Sequence, residues 1–325
     1  MSRCCFLRLL ATLVFVGSFA TAAVEAQEPA SPGPKPVPRM QVTPLPYQQA
    51  AIERDGREIS RYWFGGDLKR PFLFPLIGPA GRSLTRMGHP HDPSGHSHHN
   101  SVWISHHQVG GVDFWGDGGK GRIVHKRVVR FEDTDDEALI QVQNGWIDDT
   151  GKTLLNEYRT LRFQPLEAGE WRLLVDVELS AAGEPVTLGK TPFGLLGVRM
   201  AKTIGVHDGG GWLRNSEGAS GEQEILWKQA RWVDYSGPIT NDALEGVTLM
   251  DHPDNPNHPT YFHVRGDGWM GTSLTYEAPR TLSAGEHLML RYGLWVHAGK
   301  PAAERIDEQF AEFAKTAGPP AIEKK

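Results

Sequence analysis

Trp171-Arg172-Leu173-Leu174-Val175-Asp176-Val177-Glu178-Leu179 carries an apolar side chain at every odd position and a polar one at most even positions. Side chains alternate between faces along an extended backbone, so this stretch predicts a half-buried β-strand. Working outward, residues 123–131, 138–143 and 157–163 upstream read the same way, as do 194–200, 247–250, 260–264, 270–276 and 287–297 downstream. Turn-forming clusters such as Asp148-Asp149-Thr150-Gly151 and Ser283-Ala284-Gly285 separate them. Many short strands with such spacers predict an all-β fold, a sandwich of two antiparallel sheets. One stretch has helical period instead. Ala302, Ile306, Phe310 and Phe313 follow Pro301 at spacings that line one face, which predicts a short C-terminal helix packed on the sheets.

The ends of the 325-residue chain read differently. Arg3 and Arg8 flank an apolar run, Val24-Glu25-Ala26 is an acceptable cleavage site, and residues 1–26 are expected to be an export signal. The run is shorter than the roughly 20 residues that span a bilayer, and no later segment is apolar for as long. Export predicts a periplasmic or secreted protein with no membrane span after signal removal. Residues 27–46 hold seven prolines and predict an extended spacer. A single β-sandwich domain is expected over 47–317 and a disordered tail over 318–325. The only cysteines, Cys4 and Cys5, leave with the signal, so disulfides, thiolate metal ligands and a cysteine nucleophile are excluded from the remainder. The net charge of −5 argues against a nucleic-acid partner, which would require a basic face.

Seven of fourteen histidines fall between His89 and His107. Imidazole binds transition metals and exchanges protons near neutral pH, so this stretch is the first candidate for chemistry. If 96–107 runs extended, His96, His98 and His106 share one face while His99 and His107 face the other way with Trp103. His96, His98 and His106 are then candidate ligands for a divalent metal ion such as zinc or calcium. Proton transfer without metal, and a polar loop with solvated histidines, stay open beside it. A second polar cluster contains Asp251, His252, Asn255, His258, Tyr261, His263 and Arg265, stiffened by Pro253, Pro256 and Pro259. Tyr261, His263 and Arg265 are expected on one face of a strand. Between the clusters lie Glu157, Arg199, and a loop-like stretch in which Glu222 and Glu224 precede Trp227, Trp232 and Asp234. Carboxylates beside aromatic rings suit sugar recognition, and ten tryptophans supply both core and stacking candidates.

Several ordered motifs make the chain resemble the DUF6807 family. They are Pro71-Phe72-Leu73-Phe74-Pro75-Leu76, His96-Ser97-His98-His99-Asn100-Ser101-Val102-Trp103, Gly111-Val112-Asp113-Phe114-Trp115, Pro192-Phe193-Gly194-Leu195-Leu196, Trp232-Val233-Asp234-Tyr235-Ser236-Gly237, and Asp251-His252-Pro253 with Asn255 and His258-Pro259-Thr260. Where the family pattern has a basic residue and a glycine after the paired histidines, this chain has Asn100 and Ser101. A label borrowed from a membrane-embedded methane oxygenase subunit is often attached to the family, and the lack of a spanning segment argues against it here. The family's β-rich pattern is similar to the galactose-mutarotase-like supersandwich, a fold widespread among carbohydrate-active enzymes. That resemblance implies an exported enzyme that cleaves, eliminates or epimerises a sugar or glycoside, with a small carbohydrate or oligosaccharide as partner. In this reading His98, His99, His252 and His263 supply acid–base catalysis with Glu157 or Asp251. Trp103, Arg199, Trp232, Asp234, Asn255, His258, Tyr261 and Arg265 bind substrate. A divalent ion is an optional assistant. The alternatives are a non-catalytic carbohydrate-binding protein and a metal-binding periplasmic protein.

Overall fold

The computed structural model describes Met1, residues 36–88 and residues 96–321, and the fold belongs to one compact unit beginning at Pro38. The expected export signal and most of the spacer therefore lie outside the described residues. The strands are β1 (Met40–Leu45), β2 (Gln49–Arg54), β3 (Arg57–Trp63), β4 (Phe72–Leu76), β5 (Val102–Ile104), β6 (Arg122–Asp133), β7 (Ala138–Ile147), β8 (Thr153–Pro165), β9 (Trp171–Ala181) and β10 (Val186–Leu188). They continue as β11 (Leu196–Arg199), β12 (Trp212–Asn215), β13 (Lys228–Gln229), β14 (Trp232–Pro238), β15 (Leu244–Asp251), β16 (Tyr261–Arg265), β17 (Trp269–Thr272), β18 (Arg280–Leu282) and β19 (His287–Ala298). Helices are few: α1 (Val206–Gly209), α2 (Glu222–Ile225) and α3 (Ala303–Ala314). Among the described residues no helix is long and apolar enough to cross a membrane.

Two large sheets carry the fold. One has nine strands in the order β1-β2-β3-β4-β5-β11-β17-β16-β13, the other eight in the order β12-β14-β15-β19-β9-β8-β7-β6, and β10 pairs with β18 alone. Every pairing of these strands is antiparallel. The all-β architecture with a short C-terminal helix is thus what the chain forms. The facing sides of the sheets share one core. Val102, Ile104, Leu196, Val198, Phe262, Val264 and Met270 of the first meet Ile140, Val142, Leu161, Val175, Val177 and Leu294 of the second.

The decisive strand β9 is buried on both faces rather than one. Its odd residues Leu173, Val175, Val177 and Leu179 enter the shared core, as alternation requires. Its even side is covered by α3. Leu174 packs there with Trp232, Met250, Trp295, Ile306, Phe310 and Phe313. Arg172 reaches Gln309 at 3.1 Å, and Asp176 is held by Arg162 at 3.0 Å and Arg291 at 2.8 Å. The one apolar residue on the polar side, Leu174, therefore marks where the helix lands.

Three boundaries differ from expectation. The spacer does not reach residue 46, because Met40–Leu45 is already an edge strand. It pairs with β2, and Asp133 accepts the Val42 N–H at 2.8 Å. The strand expected over 270–276 stops at Thr272. The end of the chain, expected to be disordered from 318, is tied down as far as Pro320, whose carbonyl accepts from Gln141 at 2.9 Å; residues 322–325 lie outside the described residues. Phe313, 1 % exposed, closes the cluster beneath α3. Phe313→Ala is expected to cost about 3–5 kcal/mol in urea unfolding, and a loss below about 1 kcal/mol would mean the helix is not integral to the fold.

Candidate functional site

Away from the shared core, the opposite face of the nine-stranded sheet carries a second, aromatic cluster of Phe72, Trp103, Trp115 and Trp269. Its geometry follows from register. Trp103, Gly197, Gly271 and His263 are successive cross-strand partners on β5, β11, β17 and β16, and Arg199, Trp269 and Arg265 form the neighbouring row. The Trp103 and Trp269 rings stack at 5.2 Å. Only glycine fits beneath them. A Cβ on Gly197 would lie 2.7 Å from Trp269 and 2.8 Å from Trp103, and one on Gly271 would lie 2.5 Å from Trp269.

The histidine stretch covers this floor, but not as a strand. Among the described residues of the stretch only Val102–Ile104 is a strand, and 96–99 forms a turn closed by the His99 N–H donating to the His96 carbonyl at 3.0 Å. Ser101 leaves the turn at φ 57°, a left-handed conformation that glycine takes without strain. Alternation therefore fails before the strand begins, and His96, His98, His99 and His107 all face one cavity. His99 stacks on both indoles, at 5.0 Å from Trp103 and 4.8 Å from Trp269, with His96 stacked above it at 4.6 Å. The turn is held by Arg70, which is 1 % exposed. One Nη donates to the His98 carbonyl at 2.9 Å and Asn100 Oδ1 at 3.1 Å. The other donates to the Phe114 and Trp115 carbonyls at 2.9 and 2.6 Å. Burial lowers the Arg70 pKa to about 10, which leaves it cationic at neutral pH.

The resulting cavity, about 330 Å³, is lined by His96, His98, His99, His107, Asp113, Trp115, Gly116, Phe193, His263, Arg265 and Trp269. Its polar groups are incompletely satisfied by protein. His99 Nδ1, Trp103 Nε1 and at least one ring nitrogen of His263 are buried without a hydrogen-bond partner among the described residues. Such orphans are costly and call for an explanation, of which a ligand is one. His96 Nδ1 lies 3.1 Å from Asp267, whose other oxygen accepts from Arg199 at 2.9 Å. Burial works against the Asp267 charge, yet His96 and Arg199 outweigh it and hold the carboxyl well below its usual range. His107 lies 4.0 Å from Asp113, which also accepts the Trp115 N–H at 2.6 Å. Burial, followed by the Arg70 charge, lowers His98 to about 4; burial, followed by Arg265, lowers His263 to about 4. Burial and its cationic neighbours push His99 lower still.

The two polar clusters thus meet only in part. His263 and Arg265 reach the cavity. Asp251, His252, Asn255 and His258, expected to share in catalysis and binding there, do not line it. Asp251 Oδ1 accepts from Asn255 at 2.7 Å, and Oδ2 accepts from the Thr260 N–H at 3.0 Å and lies 2.7 Å from His258 Nδ1. His252 contacts Arg291 at 3.0 Å and packs edge-on against Phe313. Together they brace a proline-rich loop on α3. Glu157 is fully buried in the eight-stranded sheet, bound by Asn144, Trp146 and Arg159 at 2.9, 2.7 and 2.6 Å, and has no histidine partner in the cavity. Trp232 lies under α3 and donates to Asp307 at 2.8 Å, while Asp234 is enclosed by His297, Arg214, Ser236 and Thr248. Neither lines the cavity. Arg199 lies behind it, bound to Asp267, and Tyr261 is not among the lining residues but contacts Glu277 and Tyr276.

The proposed metal triad does not assemble. His106 is buried elsewhere, with Nε2 2.8 Å from Thr275 Oγ1 and Nδ1 accepting the Gln108 N–H at 3.1 Å, so both ring nitrogens are engaged. Among the described residues no group of three His, Cys, Asp or Glu side chains is placed to hold a metal ion. His89 and His91 lie outside the described residues. Sequence reading missed Arg70, Asp113, Trp115, Phe193, Asp267, Trp269 and the two glycines. Glycine inside an apolar strand, at 197 and 271, was the available signal of close approach.

The profile of a family described as one of unknown function, DUF6807, matches residues 49–311. No curated protein matches the chain. Solved structures similar to it include a protein assigned as a kojibiose phosphorylase from the human microbiome, at 10 % identity and TM-score 0.34, covering 86 % of this chain and 37 % of that one. A heparinase III gene product matches at 9 % and 0.35, covering 82 % and 37 %. An aldose epimerase homologue from C. elegans matches at 8 % and 0.34, covering 80 % and 99 %. The chain spans little more than a third of the first two proteins.

Two outcomes test this geometry. Gly197→Ala is expected to cost about 1–3 kcal/mol in urea unfolding and to alter the near-ultraviolet circular dichroism of the stacked indoles. Retention of both signals would refute the close approach. The second concerns pH. His98, His106 and His263 are each lowered to about 4, chiefly by burial, from an ordinary 6.5. The unfolded chain takes up these protons first, so the stability they contribute is complete above about pH 6.5 and is lost as pH falls toward 4. Tm is expected to drop between pH 7 and 5, with a shallower drop in His263→Asn. A flat profile would contradict neutral burial.

Proposed function

The chain belongs to the DUF6807 family, and we propose that its cavity is the active site of an exported carbohydrate-active enzyme that moves protons with neutral imidazole. One observation carries this reading. Neutral histidine rings, some with unpartnered nitrogens, face a cavity floored by stacked indoles. The C–H face of a sugar ring is apolar and packs on indole, while its hydroxyls need the donors and acceptors that the imidazoles, Asp113 and Arg265 offer. A volume near 330 Å³ is at the small end for ligand pockets and suits one sugar unit.

His98, neutral at pH 7, is placed to take a proton as general base. The imidazolium formed on His98 gives that proton back to the product, so the site ends as it began, while His96, whose Nδ1 faces Asp267, offers the lone pair of its other ring nitrogen to a substrate hydroxyl. Arg265 supplies positive charge for an oxyanion that develops between these steps. Asp113 is the single carboxylate among the lining residues, so the paired carboxylates of ordinary glycoside hydrolysis have no counterpart there. Elimination or epimerisation, in which a proton taken from carbon is given back to a leaving oxygen or to carbon, fits the donor set better.

Incubation in D₂O with mono- and disaccharides, including 3-keto glycosides, tests the proposal by nuclear magnetic resonance. Deuterium entering one sugar carbon, or an enone or epimer product, is expected from the parent protein. In His98→Ala the rate is expected to fall by about 10²–10⁴-fold. The parent activity is expected to persist down to about pH 5 and decline as His98 takes up its proton near 4. Binding with neither exchange nor product would reduce the site to non-catalytic recognition.

A further inference from the structure

Beside the histidine cavity lies a second recess of about 600 Å³, lined by Lys190, Thr191, Pro192, Tyr276 and Glu277. Pro192 of this recess adjoins Phe193 of the first cavity in the chain, and an aromatic ledge lies between residues of the two. Trp227 spans it, its ring 6.1 Å from His263 on one side and 6.1 Å from Tyr276 on the other, stacked on the latter at 29°. Tyr261 extends the ledge at 4.6 Å from Tyr276. Trp227 is 39 % exposed, among few large apolar side chains left open to water. Its backbone sits at φ 58°, in the left-handed region that bulky residues avoid. An exposed indole held in a costly conformation calls for a purpose beyond packing. The Arg265 guanidinium lies over its ring at 5.9 Å and is bound in turn by Glu222 at 2.8 Å, which fixes the ring in place.

We propose that Trp227 and Tyr276 form a second sugar subsite, so that the natural ligand carries at least two units. One occupies the histidine cavity, and the next stacks on the ledge and reaches toward Lys190 and Glu277. The inference rests on the carbohydrate reading of the cavity and narrows it to a disaccharide, oligosaccharide or glycosylated compound. Recognition on the ledge is by ring stacking, with Lys190 and Glu277 at hand for hydroxyls.

Calorimetric titration with glucose, galactose, maltose, cellobiose, lactose and maltotriose tests it, on the parent and on Trp227→Gly. Glycine accepts the left-handed backbone, so this variant keeps its fold, checked by Tm. In the parent, the preferred disaccharide is expected to bind about tenfold tighter than its monosaccharide. In Trp227→Gly that advantage is expected to vanish while monosaccharide affinity stays unchanged. Equal affinity for one and two units in the parent, or a disaccharide advantage that survives the substitution, overturns the subsite and leaves the single-sugar reading intact. Failure of the parent to bind any of the six sugars overturns both.

Discussion

Two indole rings lying flat on a β-sheet govern the chemistry available to this protein. A sheet surface normally bristles with Cβ atoms, and a flat ring cannot approach it. Gly197 and Gly271, paired across β11 and β17, remove those atoms where Trp103 and Trp269 need to settle. The space above the rings then belongs to whatever the loops bring there. Arg70 decides what that is, because its four hydrogen bonds join the histidine turn to the Trp115 loop. One buried cation therefore sets the positions of the imidazoles and of one aromatic wall.

That placement has electrostatic consequences. Burial is the larger cause that disfavours positive charge on His98, His99 and His263, and the charges of Arg70, Arg199 and Arg265 respectively add to it. These three stay neutral as a result, and neutral imidazole can both accept and donate. Asp267 offsets part of this field, and it does so behind His96, where it orients a ring without occupying the cavity. The ledge at Trp227 continues the aromatic surface outward from the same centre.

The loop around Asp251 shows how a structural device can imitate a site. Three prolines remove backbone donors and block regular pairing, so the remaining amides and carbonyls need side-chain partners. Asp251 and Asn255 supply them, and Asn255 exchanges two 2.7 Å hydrogen bonds with the Arg291 backbone. His252 and His258 then serve as flat surfaces for Phe313 and Phe310. In sequence this cluster is polar and carries two histidines, against five in the cavity lining. Its contacts seat α3.

Alternation determined the strands 123–131, 138–143, 157–163, 171–179 and 287–297 and the helix carrying Ile306, Phe310 and Phe313, because burial of one face leaves a period that survives in a single chain. Residue chemistry and not period drew attention to His98, His99, His263 and Arg265, and these four line the cavity. Strands were also legible around 196–199 and 269–272, whereas the three-residue strand 102–104 is too short for a period; together these three build the cavity floor. Only the pairing of those three strands with 261–265 decided the rest. Residue partners up to 170 positions apart, such as Trp103 and Trp269, have no local trace, and which of several polar clusters faces open space depends on what packs above it. Tertiary structure separated a bracing loop from an open cavity because packing, not residue type, sets which imidazoles face open space.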